Sequence, residues 1–259
     1  MKRKRSASRN TRLNNGNFTR CCLVTVGRCC AAAFTVGGAI VKIWSNGWIM
    51  GALSCLTTKS ANIKTGDMVQ LTILPVREKP TTSIKNKTDD KQCGDCPLKR
   101  SACYVNVVSY NQVWQKNASA PVEDVPKMDK PLRLGAYGDP AFIPLEKLEQ
   151  LTSSAPSYTG YTHQWHNVDA DYARYNMASI DHLNEARGIT RERAKDLGYR
   201  TFRILKENEE LDAGEIMCPN YTHGVQCAKC GLCAGTSRGS KDIAIRGHGA
   251  PNKLAVFKS

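Results

Sequence analysis

Seven of the cysteines fall into two groups, Cys93-Gly-Asp-Cys96 with Cys103, and Cys218 with Cys227, Cys230 and Cys233. The spacings are C-x2-C-x6-C and C-x8-C-x2-C-x2-C. A two-residue gap lets a pair of thiolates reach one metal from a tight loop, and soft thiolates select zinc or iron-sulfur clusters. The group of four can close a tetrahedral zinc site or hold a four-iron cluster. The group of three closes neither unaided: a histidine or aspartate would complete a zinc site, or a cluster would keep one iron free of protein ligands. Disulfides are the third alternative, but a set of seven thiols is odd and a chain of 259 residues needs no bridges to fold. Purely structural zinc is the non-catalytic alternative at both places.

The formal charge of +14 would by itself suggest a nucleic-acid partner. Its distribution removes most of that signal. Residues 1–54 carry nine Lys or Arg and no Asp or Glu, leaving 28 basic against 23 acidic residues, or +5, in the remainder. That is an ordinary surface charge. The N-terminal segment reads as a basic stretch, Lys2 to Arg20, then an apolar run from Cys29 to Leu56 broken by Lys42, Gly37, Gly38, Asn46 and Gly47. It fits a signal anchor, a basic arm, or an extension upstream of a start at Met50 or Met68. The shift to ordinary composition after Asp67 favours the last. The expected organisation is therefore a basic and apolar extension, residues 1–55, and one α/β domain, residues 56–259, with metal sites at 93–103 and 218–233.

Hydrophobic periodicity predicts strands over Met68–Val76, Leu132–Tyr137, Tyr158–Trp165, Asn176–Ile180, Thr201–Leu205, Glu215–Cys218 and Ile243–Arg246. Helices are expected over Val105–Lys116, Leu145–Leu151, Ala170–Tyr175 and, best patterned of all, Asn184–Leu197. Alternation of this kind implies parallel pairing: a partial (β/α) barrel or open parallel sheet of six to seven strands, followed by a cysteine-rich C-terminal metal-binding loop. No P-loop, dinucleotide fingerprint, nucleophile elbow or His-Glu-x-x-His helix is present, which withdraws the common nucleotide and hydrolase readings.

In such folds the chemistry gathers at the C-terminal ends of strands. Asp139, His163, His166 and His248 follow predicted strands and are the candidate catalytic residues. Each has an ordinary reading too: Asp139-Pro140 is a turn signal, and an isolated histidine is commonly a satisfied polar group.

The order of strand, cysteine triplet ending in Cys103-Tyr104, helix, strand and Gly135-Ala-Tyr-Gly-Asp139-Pro resembles a radical-SAM partial barrel. More specifically, the chain resembles a family of uncharacterised phage-encoded proteins distantly similar to those barrels. The matching stretches are Lys64–Gln70, Cys93–Pro97, Cys103–Asn106, Leu132–Pro140, Gly160–Trp165, Met177–Ser179, Tyr199–Arg203 and Cys218–Cys233, within residues 56 to 259. The resemblance implies that Cys93, Cys96 and Cys103 ligate a four-iron cluster (4Fe-4S) whose open iron takes S-adenosylmethionine. It implies that Tyr104, Gly135, Gly138 and Asp139 contact that cofactor, and that the Cys218 group holds a second cluster. The usual spacing in that superfamily is C-x3-C-x2-C, from which this triplet departs.

The expectation is thus a cytoplasmic phage or prophage iron-sulfur protein, radical-SAM-like, acting on a nucleic acid, nucleotide or peptide. Thiolate metal sites persist in a reducing cytosol, and a membrane partner is not expected. The alternative is a non-catalytic, zinc-stabilised module that binds nucleic acid through the Arg187, Arg191, Arg193 and Lys195 face.

Overall fold

Strands covered on both faces bury every side chain, and two of the predicted strands are of this kind: Val69–Pro75 and Met177–Asp181 are buried along their whole length, the polar Gln70, Thr72, Ser179 and Asp181 included. The computed structural model describes residues 40–45, 52–58 and 62–258. Lys2 to Arg20, Cys21, Cys22, Cys29, Cys30 and Met50 lie outside them.

Among the described residues, ten strands form two five-stranded sheets. The first is mixed, in the order β1 (Ile40–Ser45), β2 (Ala52–Thr57), β3 (Val69–Pro75), β4 (Leu132–Tyr137) and β5 (Tyr158–Thr159). Strands β1 to β3 pair antiparallel, and β3 to β5 parallel. The second is parallel throughout, β6 (Tyr161–Thr162), β7 (Met177–Asp181), β8 (Thr201–Leu205), β10 (Asp242–Arg246) and β9 (Glu215–Met217). The two are neighbours in sequence through Gly160 alone, and no closed barrel forms among the described residues. A Cβ at Gly160 would come within 2.5 Å of Asn176 Oδ1, so only glycine lets the chain pass from one sheet to the next here. This splits the strand expected over Tyr158–Trp165.

Helices occupy the connections: α1 (Pro80–Asn86), α2 (Asp90–Cys93), α3 (Val107–Asn117), α4 (Leu145–Ser153), α5 (His182–Glu185), α6 (Arg191–Asp196), α7 (Pro219–His223), α8 (Cys227–Cys230) and α9 (Pro251–Leu254). The main apolar cluster takes Leu71 and Ile73 of β3, Leu132 and Leu134 of β4, Leu148 and Leu151 of α4, and Ile180 of β7. Trp165, Leu71 and Leu132 are fully buried. Truncating a side chain as large as Trp165 would cost about 3–5 kcal/mol.

Three expectations change. The helix over Asn184–Leu197 is two short ones, because Gly188 takes φ +71° and Thr190 starts α6 by accepting the Arg193 amide. The stretch that carries the cysteine quartet is partly helical: Cys218 immediately precedes α7, Cys227 and Cys230 lie on α8, the two turns are closed by Gly224 and Gly231 at positive φ, and Cys233 follows them. The boundary expected at residue 55 falls inside β2, whose Ala52, Leu53, Cys55 and Leu56 are buried against the sheet. Lys42 on β1 is satisfied there by donating to the Ala120 carbonyl at 3.0 Å. Among the described residues no helix is long and apolar enough to cross a membrane.

Candidate metal centre and cavity

Cys93 ends α2, and Gly94 leaves the helix at φ +57° to aim the next residues back across the cavity mouth. A Cβ on Gly94 would stand 2.3 Å from the Gln164 carboxamide, so glycine is required for that approach. Beyond it the loop is pinned through Asp95. Its carboxylate accepts from Gln164 Nε2 at 2.8 Å and Arg187 Nη2 at 2.8 Å, and pairs with His166 Nε2 at 3.1 Å. Its main-chain carbonyl accepts from Arg187 Nη1 at 2.9 Å. Burial works against the Asp95 charge, but these hydrogen bonds outweigh it and hold the carboxyl below its usual range. Further along, Cys103 donates its amide to Leu98 at 2.8 Å, and Lys253 Nζ donates to the Cys103 carbonyl.

The strand following this loop meets it at Gly138. There φ is +76°, a Cβ would lie 2.6 Å from the Ile73 carbonyl, and the next amide, Asp139, donates to Gln92 at 2.7 Å. Gly135, at φ +66°, sits where the pairing of β3 with β4 slips between Gln70 and Thr72. The bulge turns the end of β4 toward the cysteines.

Asp139 is wholly engaged. Its Oδ1 accepts from Ala141 N at 3.0 Å and Thr162 Oγ1 at 2.7 Å, and its Oδ2 from His163 N at 2.8 Å. Burial still pushes its pKa up against these bonds. It therefore ties the end of β4 to the end of β6. His163 is half-buried beside the Cys96 sulfur, with its Nε2 4.0 Å from Asp181 Oδ2. Burial disfavours its charge, but Cys96, Asp139 and Asp181 outweigh it and raise the pKa to about 9.

One cavity of about 230 Å³ opens at these strand ends. Its wall includes Cys93, Cys96 and Cys103, the candidate contacts Tyr104, Gly135, Gly138 and Asp139, the histidines His163 and His248, and, from the second group, Cys218 and Cys227. Sequence spacing had no means of joining the two cysteine groups; the fold brings them to one space. His166 is elsewhere, on Asp95. A second void of about 20 Å³ is bounded by all four of Cys218, Cys227, Cys230 and Cys233.

The donor chemistry fits thiolate metal centres at both places. All eight described cysteines are free of disulfides. Burial first, then the fields of Cys96 and Cys103, push the Cys93 thiol up, and burial carries Cys233 up to about 12 despite a hydrogen bond with Tyr161. Clustered buried thiols are costly to ionise alone, and a cation replacing their protons removes that cost. As the side chains stand, no group of three or more His, Cys, Asp or Glu among the described residues is arranged to hold a metal ion. Ligation of a metal would require the thiols to turn toward a common point. The 20 Å³ void suits an ion or compact cluster at the quartet, whereas the triplet borders open space.

Sequence reasoning missed Gln164, Asp95 and Arg133, and assigned Arg187 to a nucleic-acid face. The Asp95 position inside Cys93-Gly-Asp-Cys96 was the available signal, since a carboxylate between two metal-spaced cysteines needs a cationic or amide partner. The basic face expected to meet nucleic acid is largely consumed internally: Arg187 pairs with Asp95, Arg191 with Asp212 and Asp242, and Lys195 with Asp242. Compared with known proteins, the chain matches no family model, no curated protein and no solved structure.

Proposed function

We propose that the chain is a radical-SAM-like iron-sulfur protein built on a partial (β/α) barrel, the mixed and parallel sheets acting as one curved wall. The observation that carries this reading is the meeting of three thiols, Cys93, Cys96 and Cys103, with an open cavity at the C-terminal ends of parallel strands. Cys93, Cys96 and Cys103 would hold a four-iron cluster, which would supply the one-electron chemistry that radical-SAM enzymes direct at S-adenosylmethionine. The chain's own residues bind and orient. Gln164, His166 and Arg187 hold Asp95 and with it the triplet loop. Gly135 and Gly138 let the β4 end approach without side chains in the way. Asp139 fixes that end to β6 and serves by position, accepting three hydrogen bonds from within the protein. The aromatic pair Tyr104 and His248, 5.6 Å between ring centroids, flanks the cavity.

Cys218, Cys227, Cys230 and Cys233 would hold the second centre, and the ion-sized void favours either zinc or a cluster there. A phage origin and a nucleic-acid, nucleotide or peptide substrate belong to the same proposal and rest on the family resemblance, while a cytoplasmic setting rests on the persistence of thiolate metal sites in a reducing compartment. Anaerobic purification followed by iron, sulfide and zinc analysis tests it. The expected sample is brown, with iron and sulfide at the triplet, and releases 5′-deoxyadenosine on reduction with S-adenosylmethionine. A colourless protein carrying only zinc would overturn it in favour of a zinc-stabilised module.

A further inference from the structure

Three arginines are nine-tenths or more buried: Arg133, Arg200 and Arg203, at 8%, 6% and 4% exposure. A buried guanidinium is costly unless its charge and N–H groups are met. Arg203 is met by carboxylates, donating to Glu215 Oε1 at 2.8 Å and Oε2 at 2.6 Å, with Glu209 alongside. Arg200 is met by carbonyls, those of Leu232 and Gly235 at 2.8 Å and of Lys241 at 3.0 Å. Arg133 has one protein acceptor, the Tyr104 hydroxyl at 2.6 Å, and among the described residues no carboxylate lies within ion-pair reach of it. Four of its five N–H groups are left without a protein partner.

The unpaired guanidinium faces the 230 Å³ cavity. The one carboxylate on the cavity wall, Asp139, is occupied by Ala141, Thr162 and His163, and Lys64 adds a second cation to the same wall. The surrounding surface is aromatic and aliphatic. Tyr161 and Phe202 stand 4.4 Å apart by ring centroids, with Ile204, Ile245 and Phe257 beside them. A planar fork in a low-dielectric, mostly apolar chamber binds carboxylate or phosphate in two-point fashion, while the apolar wall takes a flat body.

We infer that Arg133 is the anchor of an anion site, and that the cavity takes a small organic acid or phosphate ester whose anionic end docks on its guanidinium. The inference stands on the cavity and the side chain, and is independent of which metal the cysteines hold. The rival role for Arg133 is balancing the charge of loaded thiolates, since Cys227 is near enough to feel it.

Calorimetric titration of phenyl phosphate and of phenylacetate into the full-length protein, with metal content measured on the same samples, decides between them. At least one of the two should bind at a single saturable site, and the preferred one identifies the head group. Arg133→Met should weaken that binding about 10- to 100-fold at unchanged metal content. Arg133→Lys, which keeps the charge and loses the fork, should also bind more weakly. Lys130→Met, at an exposed ion pair with Asp67, should bind as the parent does. Absence of binding by both anions overturns the inference, as does a parent-like affinity in Arg133→Met, or loss of metal from that variant with anion binding kept. If Arg133→Met does not fold, Arg133→Lys decides alone: weakened binding supports the site and parent-like binding overturns it. A zinc-only protein that still binds the anion through Arg133 would end the radical-SAM proposal and leave this one standing.

Discussion

The cysteine triplet and the cysteine quartet reach the same cavity, yet they are not held by the same set of bonds. The quartet is shaped by main-chain hydrogen bonds: Tyr221 N to Cys218 O at 2.8 Å, Cys230 N to Gln226 O at 3.0 Å and Gly231 N to Cys227 O at 3.1 Å. Its ties to the rest of the chain are also to main chain, Cys227 N to Lys64 O at 3.1 Å and Ala228 N to Thr65 O at 2.9 Å, with Arg200 gripping the carbonyls that follow. The triplet has main-chain bonds as well, Cys93 N to Asp89 O at 2.9 Å and Cys103 N to Leu98 O at 2.8 Å, but differs in adding a side-chain latch, the Asp95 carboxylate, met by Gln164, His166 and Arg187 from 69 to 92 residues away. A centre held by backbone survives most side-chain changes around it. A centre held by a side-chain latch depends on a few identifiable polar groups.

Five substitutions and one titration would break or sharpen this contrast. The largest effect belongs to the ligands themselves. Cys96→Ser should empty the triplet of metal while the quartet keeps its own, and Cys230→Ser should do the reverse; metal stoichiometry per chain reads both, and joint loss in either variant would show the two centres to be one. Next is Gly138→Ala. The added Cβ would lie 2.6 Å from the Ile73 carbonyl at φ +76°, and a loss of about 3 kcal/mol in denaturant unfolding is expected.

Asp95→Asn should weaken metal retention at the triplet by about 10- to 100-fold in a chelator competition, as loss of outer-shell partners does, with the quartet unchanged. The same latch gives a pH dependence. Asp95 is held below the usual carboxylate range, so the folded protein binds fewer protons there than the unfolded chain. The stabilisation is present above the unfolded value of about 4 and is lost as pH falls through the folded one. Acid should therefore release the triplet's metal through this group, and Asp95→Asn should flatten that part of the profile. The smallest effect is Arg187→Ala, which removes one partner from a half-exposed pair and should cost about 0.5 kcal/mol in a thermal or denaturant melt.

Much of the strand pattern was legible. Leu132–Tyr137 and Thr201–Leu205 match β4 and β8 residue for residue, because an apolar run bounded by turn residues is a local property. The Asn184–Leu197 helix was misread for the complementary reason: its charge pattern suits a helix, but Gly188 breaks it and Arg187 and Arg191 are recruited by carboxylates outside it. In the polar stretch before Cys93, α1 and α2 escaped periodicity because their inward residues, Ser83 and Gln92, are polar and satisfied by one another, with Tyr137 as a third partner.

The sequence by itself determined which thiols belong together, since C-x2-C spacing acts over a few residues of backbone, and it determined that parallel strands would carry them. Tertiary structure alone decided that both groups share a cavity, that Asp139 holds strand ends, that Asp95 is the latch of the triplet, and that Arg133 meets only the Tyr104 hydroxyl where Arg200 meets carbonyls and Arg203 carboxylates. These are sums over contacts between residues far apart in the chain, and no local period encodes which distant group will stand opposite a buried charge.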